Sequence, residues 1–131
     1  MNIAIVTAIY ITSDKHLELA IKSLKSFTTQ DHGELLNIGI INKVRGDEDE
    51  KALAPYYDII GLNDENNLSK AWNVGIDVAF RHGADYVLIP NLDVEYNDKT
   101  IDNLVKFAER NKDALLWTST EVEEFSKTRS M

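Results

Sequence analysis

Asn91 and Asp93 have the clearest capacity for chemistry in this chain, because they directly follow a short apolar run. The run, residues 86–89, is typical of a buried strand, and Pro90 ends it. A carboxylate at a strand end, with an amide oxygen two residues earlier, suits a hard divalent cation. Such a cation takes its remaining ligands from water molecules and from the phosphate oxygens of a bound substrate. Asn and Asp are also turn residues whose side chains bond nearby backbone N–H groups. Two interpretations therefore stay open, a metal site and a local turn.

Other familiar catalytic arrangements are missing from the sequence. It contains no Cys, which excludes a thiolate nucleophile, a disulfide framework and a Cys-ligated metal site. Neither a P-loop nor a GxGxxG dinucleotide-binding pattern occurs, and no Ser-His-Asp set has a recognisable nucleophile turn. His16, His32 and His82 lack the spacing of metal ligands. The acidic run 47–50 is explained by a helix N-terminus, where the macrodipole favours acids.

Composition limits the class of protein. The chain has 131 residues, 44% of them hydrophobic, with 14 Lys+Arg against 22 Asp+Glu and a net charge of −8, which fits one domain. This charge argues against nucleic acid or an anionic membrane as the main partner. No apolar stretch approaches the roughly 20 residues that span a bilayer, and the N-terminus lacks the basic region of a signal peptide. We therefore expect a cytoplasmic protein without a membrane span.

The elements that would position these residues alternate along the chain between short apolar runs and segments with helical periodicity. Strands are predicted at 3–8, 36–41, 57–62, 86–89 and 114–117, and helices at 14–27, 68–82 and 101–108, with a short helix ending before Pro55. This alternation predicts a three-layer α/β/α domain with a mainly parallel sheet over residues 1–118, and a polar, frayed tail over 119–131. Such sheets bind ligands beyond the carboxyl ends of their strands, near a topological switch point.

Two segments together resemble a known family. Residues 65–76 read Glu-Asn-Asn-Leu-Ser-Lys-Ala-Trp-Asn-Val-Gly-Ile, and the following strand ends in Asn-Leu-Asp at 91–93. They are similar to the family 2 glycosyltransferases of the GT-A type, in which a helix reading roughly N-x-G-x-x-x-A-x-N-x-G-I precedes a strand that ends in D-x-D or N-x-D. The A, N, G and I positions are occupied by Ala71, Asn73, Gly75 and Ile76. The resemblance covers residues 1 to about 118 and implies a truncated GT-A fold, limited to the nucleotide-binding half.

The resemblance also implies a set of site residues. Asp93 would hold Mn²⁺ or Mg²⁺ on the diphosphate of a nucleotide sugar, with Asn91 in the first position as in rhamnosyltransferase-like members. The implied contacts of the donor are Thr7, Ala8, Tyr10, Asn42, Asn67, Lys70, Asn73 and Asn91. Asn42 stands where the family has an Asp that contacts the base. A carboxylate only accepts hydrogen bonds whereas an amide both donates and accepts, so the identity of the base is not determined by the resemblance. Asn67 replaces a glycine, and Asn tolerates left-handed backbone better than other residues with a side chain.

The implied activity is transfer of a hexosyl or deoxyhexosyl group to an unknown sugar, lipid or protein acceptor. The catalytic base is not identified, since the late carboxylates Glu121, Glu123 and Glu124 belong to an acidic tail of the kind that is usually solvated. The alternative is a non-catalytic nucleotide-sugar-binding module, or a fragment that requires a partner chain, with a homodimer as one possibility. A receiver-like or flavodoxin-like domain is disfavoured because the first strand does not end in an acidic cluster.

Overall fold

The computed structural model describes residues 2–63 and 67–111, and the backbone of 120–122 and 128–130. Its elements in chain order are β1 Ile3–Tyr10, α1 Asp14–Thr28, β2 Leu35–Lys43, α2 Asp47–Leu53, a 3-10 turn Ala54–Tyr56, β3 Ile59–Leu62, α3 Leu68–Arg81, β4 Tyr86–Leu88, α4 Thr100–Arg110, β5 Thr120–Val122 and β6 Thr128–Ser130. None of the described helices is long and apolar enough to cross a membrane.

Four strands form one parallel sheet in the order β3-β2-β1-β4. The chain moves outward from β1 to β2 and β3, then crosses back through α3 to place β4 on the other side of β1. The topological switch point therefore lies between β1 and β4, where ligand-binding crevices form in open α/β sheets. The predicted α/β class with a mainly parallel sheet is confirmed.

The side chains of β1 alternate between two hydrophobic layers, which explains its apolar character throughout. Ile3, Ile5 and Ile9 join a buried cluster with residues of α1, α2 and α4. Ala4 and Val6 join a second cluster with residues of α3. Helices thus cover both faces of the sheet, as the alternating sequence pattern predicts.

Gly75 allows α3 to pack directly on the sheet. A Cβ atom built at Gly75 would overlap the Cγ1 atom of Val6 and press on Ile40. Only a residue without a side chain fits at this crossing. Gly75 therefore fixes how deeply α3 sits over β1 and β2.

The ends of several elements differ from their predicted positions. β1 and β2 extend to Tyr10 and Lys43, and β3 begins only at Ile59. Just before it, the N–H of Asn37 donates to the side-chain carboxylate of Asp58 in place of a backbone carbonyl. The short helix ends at Leu53, before Pro55, as predicted.

The C-terminal part of the chain departs from the predicted frayed tail. β5 and β6 form an antiparallel pair in which Thr120 lies opposite Ser130 and Val122 opposite Thr128. β-Branched Thr and Val are typical strand residues, which gives this pairing a local basis. The predicted fifth strand at 114–117 lies outside the described residues.

Candidate functional site

The carboxyl ends of the four parallel strands define the edge of the sheet where a site is expected. β1 ends at Tyr10 and β2 at Lys43, and β4 ends three residues before Asn91. α3 begins at Leu68, six residues after the end of β3, so its first turn also lies at this edge. Most of the predicted site residues therefore fall at one end of the sheet.

Asn42 occupies a β-bulge at the end of β2. Ile9 pairs with Ile41 but the next residue, Tyr10, pairs with Lys43, so Asn42 is the extra residue on its strand. Bulges bend a strand and redirect a side chain, and they are common at sheet edges beside functional sites. The half-buried Asn42 therefore has an orientation that strand periodicity alone does not give.

Asn42, Asn63 and Asn67 form a hydrogen-bonded set that we call the asparagine network. The Oδ1 atom of Asn42 accepts from Asn63 Nδ2 at 3.1 Å and from the backbone N–H of Asn67 at 3.2 Å. Asn63 Nδ2 also donates to the Asn67 carbonyl at 3.2 Å. Asn63 is only 7% exposed, so its amide is held inside the protein. The network ties the end of β2 to the residues that precede α3.

Asn67 is the N-cap of α3. Its Oδ1 atom accepts from the backbone N–H of Lys70 at 3.1 Å, which satisfies one of the free donors of the first turn. Its φ of −137° is extended, so the left-handed backbone that the replaced glycine suggested is a wrong expectation. Asn stands here because it caps a helix.

Three of the predicted donor contacts line one open depression beside the start of α3. Asn67, Lys70 and Asn73 share it with Ser69, Val74 and Asp77. Lys70, Asn73 and Asp77 follow each other at helical spacing along one stripe of α3. The structure thus brings together an amide cap, a cation, a second amide and a carboxylate, a combination suited to a polar ligand.

Asp93 lies in the segment after β4 and is exposed, as is Asn91. Leu92 and Val94 pack against the core cluster on the α1 side, so the polar residues between and before them remain in solvent. Within the described part of the chain, the carboxylate of Asp93 has no hydrogen bond and no ion pair. Hydrocarbon therefore does not surround it, and both of its oxygens are open to a ligand.

A divalent cation at Asp93 would have few protein ligands. Among the described residues no group of three or more His, Asp or Glu side chains is placed to hold a metal ion. One carboxylate with a nearby amide matches a cation that takes most of its ligands from water and phosphate oxygens, as Mg²⁺ commonly does. The residues present therefore fit a metal shared with a diphosphate and do not fit an all-protein metal cage.

Thr7 does not reach this edge. Its side chain is 1% exposed, and its Oγ1 atom lies 2.6 Å from the phenolic oxygen of Tyr57. Burial raises the pKa of Tyr57, so the phenol keeps its proton for this hydrogen bond. Tyr57 packs over Gly39, where an added Cβ would lie 2.7 Å from the Tyr57 ring. The structure places Thr7 in a buried layer, where its hydroxyl is bonded to Tyr57.

Ala8 and Tyr10 lie on the other face of β1, because strand residues three apart point to opposite sides of a sheet. Ala8 packs against the cluster beneath α3. Tyr10 is 46% exposed, and its ring centroid lies 6.4 Å from that of His16. Tyr10 is therefore the accessible aromatic group at the end of β1.

Arg45 is held in ion pairs beside the site. Its Nη2 and Nε atoms donate to Asp49 at 2.8 and 3.1 Å, and its Nη1 atom donates to Asp14 at 2.6 Å. These bonds raise the pKa of Arg45, and the Arg45 guanidinium lowers the pKa of the buried Asp49 carboxyl. Arg45 joins the loop after β2 to the start of α1, and two carboxylates already compensate its charge.

Asn63, Tyr57 and Arg45 shape this edge and were not among the predicted site residues. Asn63 had a usable signal, since it is a polar residue placed directly after a strand that ends at the same edge as β2. Arg45 and Asp49 have opposite charges and are only four residues apart, which was a usable signal for an ion pair. The contact of Tyr57 with Thr7 joins residues 50 positions apart, and no local pattern predicts it.

Comparison with solved structures finds the same fold in S. aureus TarS. TarS 1–349 matches with a TM-score of 0.67 and 15% sequence identity, over 86% of this chain and 33% of that chain. Its complex with UDP gives the same values. Its complex with UDP-GlcNAc matches with a TM-score of 0.67 and 15% identity, over 86% of this chain and 32% of that chain. The present chain thus spans about a third of TarS 1–349. No protein-family model matches the sequence, and neither does any curated protein.

Proposed function

We propose that this chain binds a nucleoside-diphosphate sugar at the carboxyl edge of its sheet and serves the transfer of the sugar to an acceptor. Asp93 would hold Mn²⁺ or Mg²⁺ against the diphosphate. The asparagine network, Tyr10 and the start of α3 would contact the nucleoside and phosphates. The observation that carries this proposal is the exposed carboxylate of Asp93, which pairs with no described residue and follows β4 in a fold that TarS shares.

The TarS complexes support the choice of ligand. The matched part of TarS belongs to a protein crystallised with UDP and with UDP-GlcNAc. In this chain polar side chains lie at the carboxyl edge, where parallel α/β sheets bind ligands. A nucleoside-diphosphate sugar is therefore the class of small molecule that this edge fits best.

Charge explains why a metal belongs to the proposal. The chain carries a net charge of −8, and Arg45 is already paired with Asp14 and Asp49. A diphosphate carries more negative charge than Lys70 alone neutralises, so it needs a further positive charge at the site. A divalent cation at Asp93 would bridge the carboxylate to the phosphate oxygens and stabilise the diphosphate as a leaving group.

Titration calorimetry with UDP, CDP, GDP and dTDP, each with and without Mn²⁺ or Mg²⁺, tests the proposal. We expect at least one nucleotide to bind with a metal-dependent affinity. Asp93→Asn should weaken that binding about tenfold to a hundredfold, the range seen when metal coordination is disturbed. Because Asp93 is exposed and unpaired, the same variant should change the free energy of unfolding by less than about 0.5 kcal/mol.

Glu34→Gln provides the matched control. Glu34 is exposed and directly precedes β2, so it lies at the opposite edge of the sheet. The substitution also removes one negative charge. It should leave nucleotide affinity unchanged. If no nucleotide binds to the wild-type chain, or if Asp93→Asn binds as tightly as the wild type, the proposal is wrong.

A second candidate function is a nucleotide-sugar-binding module without turnover of its own, or one that works with a partner chain. It is favoured by the short span of the match, which leaves about two thirds of TarS 1–349 without a counterpart. Mass spectrometry of a UDP-sugar incubated with the chain, alone and with added cell lysate, separates the two. Transfer or hydrolysis by the chain alone supports an enzyme, whereas binding without turnover supports the module.

A further inference from the structure

The segment between β4 and α4, which carries Asp93, rests on the layer that contains α1. Burial alternates along it, because Leu92, Val94 and Tyr96 pack against the core cluster on the α1 side while Asp93 is exposed. The ring centroid of Tyr96 lies 4.8 Å from that of Phe27 in α1. Residues 89–99 belong to no strand or helix. Contacts with the α1 layer therefore decide where the backbone of Asp93 lies.

Gln30 lies two residues after the end of α1 and bonds this segment with both polar atoms of its side chain. Its Nε2 atom donates to the carbonyl of Asn97 at 2.5 Å and to that of Ser26 at 2.9 Å, and its Oε1 atom accepts from the backbone N–H of Ile101 at 2.9 Å. A carbonyl only accepts and a backbone N–H only donates, so this orientation of the amide satisfies all three groups. Gln30 is 9% exposed, and its hydrogen bonds are thus made inside the protein.

Gln30 also supplies what the first turn of α4 lacks. The N-cap of α4 is Lys99, whose side chain makes no capping hydrogen bond. The N–H of Ile101 is one of the donors at a helix start that have no partner within the helix. Gln30 accepts from it, as the side chain of an N-cap residue would do. The start of α4 is therefore capped by a residue 71 positions away in the sequence.

Two further hydrogen bonds join the same two stretches of chain. The Oγ atom of Ser26 accepts from the N–H of Tyr96 at 3.0 Å. The N–H of Asp31 donates to the carbonyl of Asp98 at 2.6 Å. Together with the bonds of Gln30, they fix the backbone that leads into α4.

From these contacts we propose that Gln30 is a positioning residue for Asp93. The inference rests on the proposed function, in which Asp93 holds the divalent cation. Gln30 acts through the carbonyl of Asn97, four residues after Asp93, and not as a metal ligand. The Asp93 side chain stays in solvent, while Gln30 limits where its backbone can lie and so keeps the carboxylate at the carboxyl edge of the sheet.

Gln30→Glu tests this role because its effect depends on pH. The carboxylate of the variant would face the carbonyl oxygens of Asn97 and Ser26, which repel it. The protonated carboxyl instead donates a hydrogen bond and has nearly the shape of the amide. Burial raises the pKa of a carboxyl, so mild acidification reaches the protonated form. Low pH should therefore restore the contact that high pH breaks.

Calorimetric titration in Mn²⁺ buffer, with the nucleotide that the wild type binds most tightly, measures the effect at about pH 8 and about pH 5.5. At the higher pH we expect Gln30→Glu to bind about tenfold more weakly than the wild type, as loss of a group that orients a metal ligand typically costs. At the lower pH the ratio of the two dissociation constants should fall towards one. Thermal unfolding at each pH shows whether the variant is folded.

Val105→Ala is the control for a loss of stability alone. Val105 is buried within α4 and belongs to the same core cluster. Its truncation leaves a cavity but keeps the hydrogen bonds at the start of the helix. The variant should unfold at a lower temperature and keep the wild-type affinity at both pH values.

Ser26→Ala is a milder second variant. It removes the acceptor of the Tyr96 N–H and should weaken Mn²⁺-dependent nucleotide binding about threefold, the effect of one lost hydrogen bond. If Gln30→Glu does not fold at the higher pH, Ser26→Ala decides, and an unchanged affinity overturns the inference.

Three further results overturn the inference while leaving the proposed function in place. One is a folded Gln30→Glu that binds as tightly as the wild type at the higher pH. Another is a weakened affinity that does not recover at the lower pH. The third is an equal weakening in Val105→Ala. If the wild type binds no nucleotide, the proposed function fails, and the positioning role fails with it.

Discussion

The two sides of the carboxyl edge are built in opposite ways. On the β2 and β3 side, Asn42, Asn63 and Asn67 bond one another, and Asn63 is almost fully buried. On the β4 side, Asn91 and Asp93 are exposed, and no described residue pairs with the Asp93 carboxylate. The first side is completed by the protein itself, whereas the polar groups of the second side face solvent and are accessible to a ligand. Stability and binding should therefore separate between the two sides.

Asn63→Ala should give the largest loss of stability and so tests the comparison most directly. The substitution leaves Asn42 Oδ1 and the Asn67 carbonyl each without one hydrogen bond at a mostly buried position. We expect the free energy of unfolding to fall by about 2 kcal/mol, measured by urea denaturation.

Asn91→Ala is the counterpart of Asn63→Ala on the exposed side. It removes the same amide from a solvated position, and stability should change by less than about 0.5 kcal/mol. If the two variants lost equal amounts of unfolding free energy, the β2 and β3 side and the β4 side of the edge would not differ as described.

Asp49→Asn extends the comparison to the loop that follows β2. Arg45 lowers the pKa of the Asp49 carboxyl below its ordinary value of 3.8, so the folded chain binds this proton less readily than the unfolded chain. The stabilisation is therefore fully present above the unfolded pKa and is lost as pH falls through the lower folded pKa. We expect the wild type to melt at a higher temperature than Asp49→Asn at pH 7, with the difference shrinking as pH falls below about 4.

Glu48→Gln is the control for this pH dependence, because Glu48 is an exposed neighbour in the same helix. Its melting temperature should follow that of the wild type across the pH range. A difference between wild type and Asp49→Asn that stays constant from pH 7 to pH 3 would show that the carboxylate is not stabilised by Arg45.

Thr7→Val should give a smaller loss of stability than Asn63→Ala and tests whether Thr7 lies outside the site. It removes the hydroxyl that bonds Tyr57, which should cost about 1 kcal/mol in urea denaturation. Nucleotide affinity should stay within about twofold of the wild type. Combining Thr7→Val with Tyr57→Phe removes both partners and should recover part of the loss. A tenfold loss of nucleotide affinity in Thr7→Val would instead place Thr7 in the site.

The strands and helices could be predicted from the sequence because each is marked by a pattern within its own segment. The apolar run at the start of the chain and the helical spacing around Gly75 predict β1 and α3 correctly, since burial on two faces imposes a visible pattern. Strand ends at Ile59 and Lys43 were missed because they depend on Asp58 and on a bulge, which are set by contacts between strands.

The candidate site was less predictable. Asn67 and Lys70 carry a capping signal that is readable from the sequence, and the structure places both at the same depression. Thr7 was assigned by resemblance, yet strand alternation puts it on the face opposite Tyr10. The roles of Asn63 and Tyr57 arise from residues far apart in sequence, which a single chain without its fold does not reveal.

The close seat of α3 on β1 at Gly75 has a thermodynamic consequence for any ligand. With no gap between helix and sheet at Gly75, α3 cannot move closer to β1 there without displacing Val6. The α3 side of the site is therefore already rigid before a ligand binds. The loss of conformational entropy on binding should come mainly from the ligand and from the residues around Asp93.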